Sequence, residues 1–185
     1  ALDFGKPPFW ANGILERWAV GEEAAKRVLS GFLDDLLADY PNDRDLPPKR
    51  ATSEMSPHLR FGEIGPRQIW FAVRHLIASN PSMANAGDKF LSELAWREFS
   101  YHLLHHYPKT PSQPLKDTFS AFSWSRNARH LERWQRGLTG YPIVDAGMRQ
   151  LWKTGWMHNR VRMIVASFLT KHLLIPWQDG AKWFW

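Results

Sequence analysis

An all-α domain is predicted by this sequence, on three observations. Apolar residues recur at helical spacing in several windows, prolines stand where first helical turns begin, and no stretch alternates apolar with polar residues as a half-buried strand does. The 185 residues suit one domain of ordinary size, and 44% hydrophobic with 23% charged residues excludes wholesale disorder.

The first clear helix is expected over 22–39. Ala25, Val28, Leu29, Phe32, Leu33, Leu36 and Leu37 share one face, and Glu22 and Glu23 suit the positive end of its dipole. Tyr40-Pro41-Asn42-Asp43 should end it, and a polar, proline-containing loop runs to Arg50. Ser56 before Pro57 reads as an N-cap followed by a first-turn proline, giving a short helix that stops at Gly62. Pro66 repeats the device for a helix over 66–79, closed by Asn80-Pro81. A longer helix is expected over 88–107, ending before Pro108. The stretch 109–125 reads as an ordered loop, because Phe119, Phe122 and Trp124 need burial. Further helices are expected over 127–137, over 142–153 with Gly155 as its stop, and over 156–174 before Pro176.

Charge and composition narrow the function classes. Lys and Arg number 24 against 18 Asp and Glu, a net charge of +6, which permits a polyanionic partner without identifying one. The absence of Cys excludes a disulfide scaffold, a thiolate metal site and a cysteine nucleophile. No apolar run approaches the roughly 18 residues of a membrane span and no signal peptide opens the chain, so a cytoplasmic protein without membrane association is expected. Eleven Trp beside 11 Phe and 4 Tyr can serve a core, stacking on bases or flavin, or electron transfer, and composition does not choose. The chain starts without Met and stops inside the aromatic run 182–185, so it reads as a piece of something longer.

Four constellations could carry chemistry. Thr52-Ser53-Glu54-Met55-Ser56-Pro57 is a hydroxyl-rich loop running into a helix, which suits a phosphate or pyrophosphate, although from these residues alone the favoured reading is that Ser53 and Ser56 cap their own helix. Glu93, Trp96 and Arg97 lie at i, i+3 and i+4, either a solvated surface pair or a platform for a planar ligand, with Phe90, Leu94 and Phe99 implying broad burial of the helix. Trp156, Asn159, Arg160 and Met163 form one stripe mixing a ring, an amide, a guanidinium and a thioether, which fits a cavity lining as well as a core. His102, His105 and His106 have metal-ligand spacing but lack the glutamate of a zinc-protease helix, so no metal is expected.

In order along the chain, these segments resemble the helical flavin-binding domain of the DNA photolyase and cryptochrome family. The resemblance rests on 52–57 with Gly62, on 93–99 (ELAWREF), on 134–150 (WQRGLTGYPIVDAGMRQ) and on 155–163 (GWMHNRVRM). It implies that Thr52, Ser53, Glu54, Met55 and Ser56 contact the FAD pyrophosphate, with Tyr40, Arg97, Asn159 and Arg162 also at the cofactor. Glu93, Trp96, Asn159 and Met163 match the catalytic lesion pocket. Arg44 and Arg160, with Glu93, Trp96, Arg97, Asn159 and Met163, match DNA contacts, and Trp124 and Trp177 match an electron-transfer chain. The residue pattern at 96, 159 and 163 looks like enzymes that repair cyclobutane pyrimidine dimers; a cryptochrome-type blue-light receptor is the alternative. A helical nucleic-acid-binding module without cofactor rests on charge alone.

The mechanism implied is light-driven electron transfer from reduced FAD to a dimer flipped out of damaged DNA. In the family this domain continues past Trp185 and follows an N-terminal α/β antenna domain, through which alone an antenna chromophore would bind. The 185 residues alone are therefore expected to be inactive and to bind FAD weakly or not at all. Ala51, where the family usually has Gly, and His58, where it often has Tyr, are the departures.

Overall fold

The computed structural model describes residues 8–184, and all regular structure among them is helical. In chain order the helices are α1 (Asn12–Arg17), α2 (Glu22–Asp35), α3 (Tyr40–Asp43), α4 (Ser56–Arg60), α5 (Pro66–Ser79), α6 (Ala84–His106), α7 (Ala128–Gln135), α8 (Pro142–Thr154), α9 (Asn159–Ser167) and α10 (Trp177–Phe184). A π-helical turn, Phe168–His172, continues α9. The chain divides into two compact units: 19–103, and the stretches up to Trp18 and from Leu104 onward. None of the helices among the described residues is long and apolar enough to cross a membrane.

In the unit 19–103, the apolar face of α2 is buried as its spacing predicts, through Ala25, Leu29 and Phe32. The helix stops at Asp35 rather than Asp39, because Leu36 and Leu37 both direct their N–H groups to the Phe32 carbonyl. The Tyr40-Pro41 segment does not merely end it but winds the separate turn α3. Helix α5 covers the expected residues. The Gly65 N–H before it donates to the Gln68 side chain at 2.7 Å, and Pro66 occupies the first turn, where a missing N–H costs nothing. The turn Pro81–Met83 feeds straight into α6, which therefore starts at Ala84, four residues before the expected Asp88. At Gly87 the two helices touch: a Cβ there would lie 2.7 Å from Ile77 Cδ1.

Burial along α6 is less than expected. Phe90, Leu91 and Leu94 are in the core, but Trp96, Phe99 and Tyr101 are exposed. Past Leu94 the apolar side chains spread around the helix instead of keeping to one face, so only its first half has a packed stripe.

The other unit is built around Trp134, which is fully buried and donates its indole N–H to the Val165 carbonyl at 3.0 Å. Val144, Met148, Met157, Val161, Val165, Leu169 and Ile175 close around it. Helix α7 is capped by the Asn127 side chain, which accepts the His130 N–H at 3.0 Å, and α8 ends on Gly155 at φ 68. Residues 156–158 are not helical, contrary to the expectation for 156–174. His158 is the N-cap of α9, its Nδ1 accepting the Arg160 N–H at 3.1 Å, so the helix begins only at Asn159.

Phe119 and Phe122 are exposed and Trp124 half-buried, against the expectation that this loop buries its rings. Their apolar surface is partly met by a tilted contact of Phe122 with Trp124 at 4.5 Å, and by Phe119 and Trp124 lining a cavity. Helix α10 had no signal beyond its aromatic run.

One buried carboxylate pins the α7–α8 turn. Asp145 accepts the Thr139 N–H at 2.8 Å, the Thr139 hydroxyl at 2.6 Å and the Gly140 N–H at 2.9 Å. Burial opposes its charge, yet the hydrogen bonds from Thr139 and Gly140 and the Arg149 guanidinium outweigh that and hold the carboxyl below its usual range. A lowered folded-state value means stability that is present above the unfolded value and lost as pH falls through the folded one. Asp145→Asn should therefore lower stability by roughly 1–2 kcal/mol at neutral pH. In thermal melts, the gap to wild type should close as pH falls below ~4. A gap constant from pH 7 to 3 would contradict this account.

Candidate flavin and lesion site

Within 19–103, the loop before α4 carries the predicted hydroxyls. Thr52, Ser53 and Glu54 are half-buried, Met55 is buried among the core residues, and Ser56 is exposed. The expected cap is not formed: Ser56 is the first residue of α4, and Met55, at the N-cap, supplies no side-chain bond. Ser53 Oγ instead accepts the Met55 N–H at 3.4 Å, inside the loop. Glu54 takes φ 52, a left-handed conformation that costs about 1–3 kcal/mol in a non-glycine residue and persists only where the surroundings demand it. Ala51 does not take a positive φ, so its side chain causes no backbone strain.

Tyr40 lies beneath the next group. Its ring is buried edge-on to Phe32 and Phe90 at 5.5 and 5.6 Å, and burial pushes its phenol up to about 12, so it stays a hydrogen-bond donor. The Arg44 guanidinium sits over that ring at 5.3 Å and forms an ion pair with Glu93. The hydrogen bond to Glu93 raises Arg44 further above its ordinary value, against the opposing effect of burial. Lys89, one turn earlier on α6, lies 3.7 Å from the same carboxylate. Arg97 is held elsewhere, by Glu98, by the Leu59 carbonyl at 3.4 Å and over Tyr101 at 4.8 Å. Trp96 is 62% exposed, its ring edge-on to Phe99 at 5.7 Å.

The structure thus brings Tyr40, Arg44 and Glu93 together, a grouping that spacing along the chain does not reveal. A second such contact lies near the loop. His58 is buried and bonds Glu63 at 2.5 Å, while Glu63 also accepts the Gly21 N–H at 2.8 Å. The bond from His58, then that from Gly21, draws the Glu63 carboxyl down. No motif marked Glu63; the buried histidine was its only trace.

In the other unit, Asn159 and Met163 are exposed on α9, and Arg160 directs a guanidinium N–H to the Met163 sulfur at 3.5 Å. Trp156 does not share their stripe, since it precedes the helix and instead faces Arg17 at 5.3 Å. Arg162 is half-buried against Phe184 at 4.8 Å, and burial lowers its value. Trp124 and Trp177 line one cavity of about 1020 Å³ together with Pro114, Phe119 and Ile175. Among the described residues no three His, Asp or Glu side chains converge in a way that could hold a metal.

The chemistry of the donor set fits FAD. The hydroxyls of Thr52, Ser53 and Ser56 suit a pyrophosphate. Comparison with known proteins agrees. Residues 90–185 match the family model described as the FAD binding domain of DNA photolyase. A deoxyribodipyrimidine photo-lyase of Agrobacterium fabrum is 51% identical over 177 residues, 96% of this chain and 36% of that protein. Cryptochrome-2 of Arabidopsis thaliana is 39% identical over 181 residues, 95% of this chain and 30% of that protein. The crystal structure of a bacterial class III photolyase from Agrobacterium tumefaciens superposes with a TM-score of 0.92 at 49% identity, covering 97% of this chain and 37% of that one. The chain spans about a third of the length of the relatives it matches. It belongs to the DNA photolyase and cryptochrome family, of which it carries FAD-binding-domain sequence.

Proposed function

We propose that the protein containing this chain repairs cyclobutane pyrimidine dimers in damaged DNA, in light, by electron transfer. The observation that carries the reading is the Arg44–Glu93 ion pair, which holds a carboxylate on the same helix as the exposed Trp96 ring. Bound FAD, once reduced, supplies the light-excited electron. The chain's own residues bind and orient.

Thr52, Ser53 and Ser56 offer hydroxyls, and Glu54 and Met55 backbone groups, to the pyrophosphate, with Tyr40, Arg97, Asn159 and Arg162 as further cofactor contacts. Trp96 gives a flipped-out lesion a stacking surface in place of its lost neighbours. Glu93 accepts a hydrogen bond from the dimer, and Arg44, only 11% exposed at its side chain, positions that carboxylate. For Arg44 to reach a DNA phosphate as well, this pair must open. Asn159 adds an amide donor and acceptor, Met163 a polarizable contact, and Arg160 a cation for the DNA backbone. Trp124 and Trp177, which line one cavity, would offer indole rings through which an electron from an external reductant could reach bound FAD.

A blue-light receptor is the second reading, favoured by the cryptochrome relatives. Binding separates the two. A flavin-loaded protein of the relatives' full length should bind a duplex with one thymine dimer about 10³-fold or more tighter than intact duplex, with affinity falling steeply between 50 and 200 mM salt. Equal affinity for both duplexes would favour the receptor.

A further inference from the structure

The unit that contains α7 to α10 holds a second cavity, of about 550 Å³, with no assigned role. Its volume is that of a pocket for a small molecule. Part of the lining comes from α7, where Arg133 neighbours both Arg129 at i, i+4 and His130 at i, i+3. The Arg133 guanidinium is fixed there by its Nε–H, which donates to the Leu138 carbonyl at 2.8 Å. The positive end of the α7 dipole adds to the same side. Among the described residues, none that lines this cavity is acidic. Two guanidiniums and an imidazole thus face it with no carboxylate in the wall.

Rings line the same cavity. Phe168 and His172 stand at the two ends of the π-helical turn, and their rings stack at 5.4 Å and 18°. A π turn is rare and is found mostly at functional sites. Tyr141 adds a third ring, 4.8 Å from Phe168 and 58% exposed. A cavity lined by both cationic groups and rings suits a ligand that carries an anion and a flat ring.

We propose that this cavity binds a nucleoside monophosphate, with the phosphate at Arg129, His130 and Arg133 and the base against Tyr141 and His172, whose rings rest on the buried Phe168. None of the proposed flavin and lesion residues lines it. The test is calorimetric titration of AMP, adenosine and inorganic phosphate into the flavin-loaded protein of the relatives' full length. AMP should saturate a single site, and adenosine and phosphate should each bind at least about tenfold more weakly. Arg129→Glu and His172→Ala should each weaken AMP by about tenfold or more. Both residues are exposed, so the variants should fold, and circular dichroism melts check this; if one melts early, the other decides. No saturable AMP binding, unchanged affinity in the folded variants, or adenosine or phosphate binding as tightly as AMP would each overturn the proposal.

Discussion

Glu93→Gln, in the flavin-loaded protein of the relatives' full length, should cut light-driven dimer reversal at limiting DNA by roughly ten- to a hundredfold. The estimate follows from one charge-assisted hydrogen bond lost to the dimer. Gln keeps the shape and an acceptor but removes the charge that anchors Arg44, whose side chain is only 11% exposed. A partner left unpaired at such a site also destabilises, so Glu93→Ala should cost about 1–3 kcal/mol of folding stability on top of its effect on repair. Trp96→Ala should weaken binding of the dimer-containing duplex about ten- to a hundredfold with little change in stability, because its ring is already 62% exposed. Repair and lesion binding that survive Glu93→Gln unchanged would remove the carboxylate from the site.

Trp134→Ala should have the largest structural effect, a loss of about 3–5 kcal/mol read from urea unfolding. The residue is fully buried, packs against Phe184 at 5.5 Å, and satisfies its indole N–H on Val165. Such a loss is a large part of the ~5–15 kcal/mol that holds a domain folded. Trp134→Phe keeps most of the ring and loses the hydrogen bond, so it should cost less than Trp134→Ala. An Ala variant as stable as wild type would mean that this core is not organised around the indole.

These two residues also show what the sequence makes legible. Trp134 lies in a run whose ends are marked by local chemistry, Asn127 as a cap before it and Gly155 as a stop after α8, and such signals act through neighbours in the chain. Pro66 and Asn80-Pro81 bound α5 for the same reason. Periodicity failed at Trp156, because the apolar pattern runs on through a histidine that caps α9, and histidine is not a usual capping residue. It failed again at Phe99, Phe119 and Phe122, where aromatic content suggested burial but no packed face is present to receive the rings.

The candidate site divides in the same way. The segments of the site were visible as strings of residue types with family character. The pairing of Arg44 with Glu93, the position of Tyr40 beneath Arg44, and the tie from His58 through Glu63 to Gly21 depend on segments far apart in the chain. No local pattern encodes them. The cavity beside α7 was missed for a further reason: its rings come from two segments far apart in the chain, Tyr141 before α8 and the π turn Phe168–His172.

The most direct test is repair itself. A protein of the relatives' full length that includes this chain should be loaded with FAD, reduced without oxygen, and mixed with an oligonucleotide bearing one thymine dimer. Under blue light the dimer should disappear and intact thymines return. The dark sample and a flavin-stripped sample should leave it unchanged. Dimers that persist under illumination, although the protein holds reduced flavin and binds the damaged strand, would contradict the account.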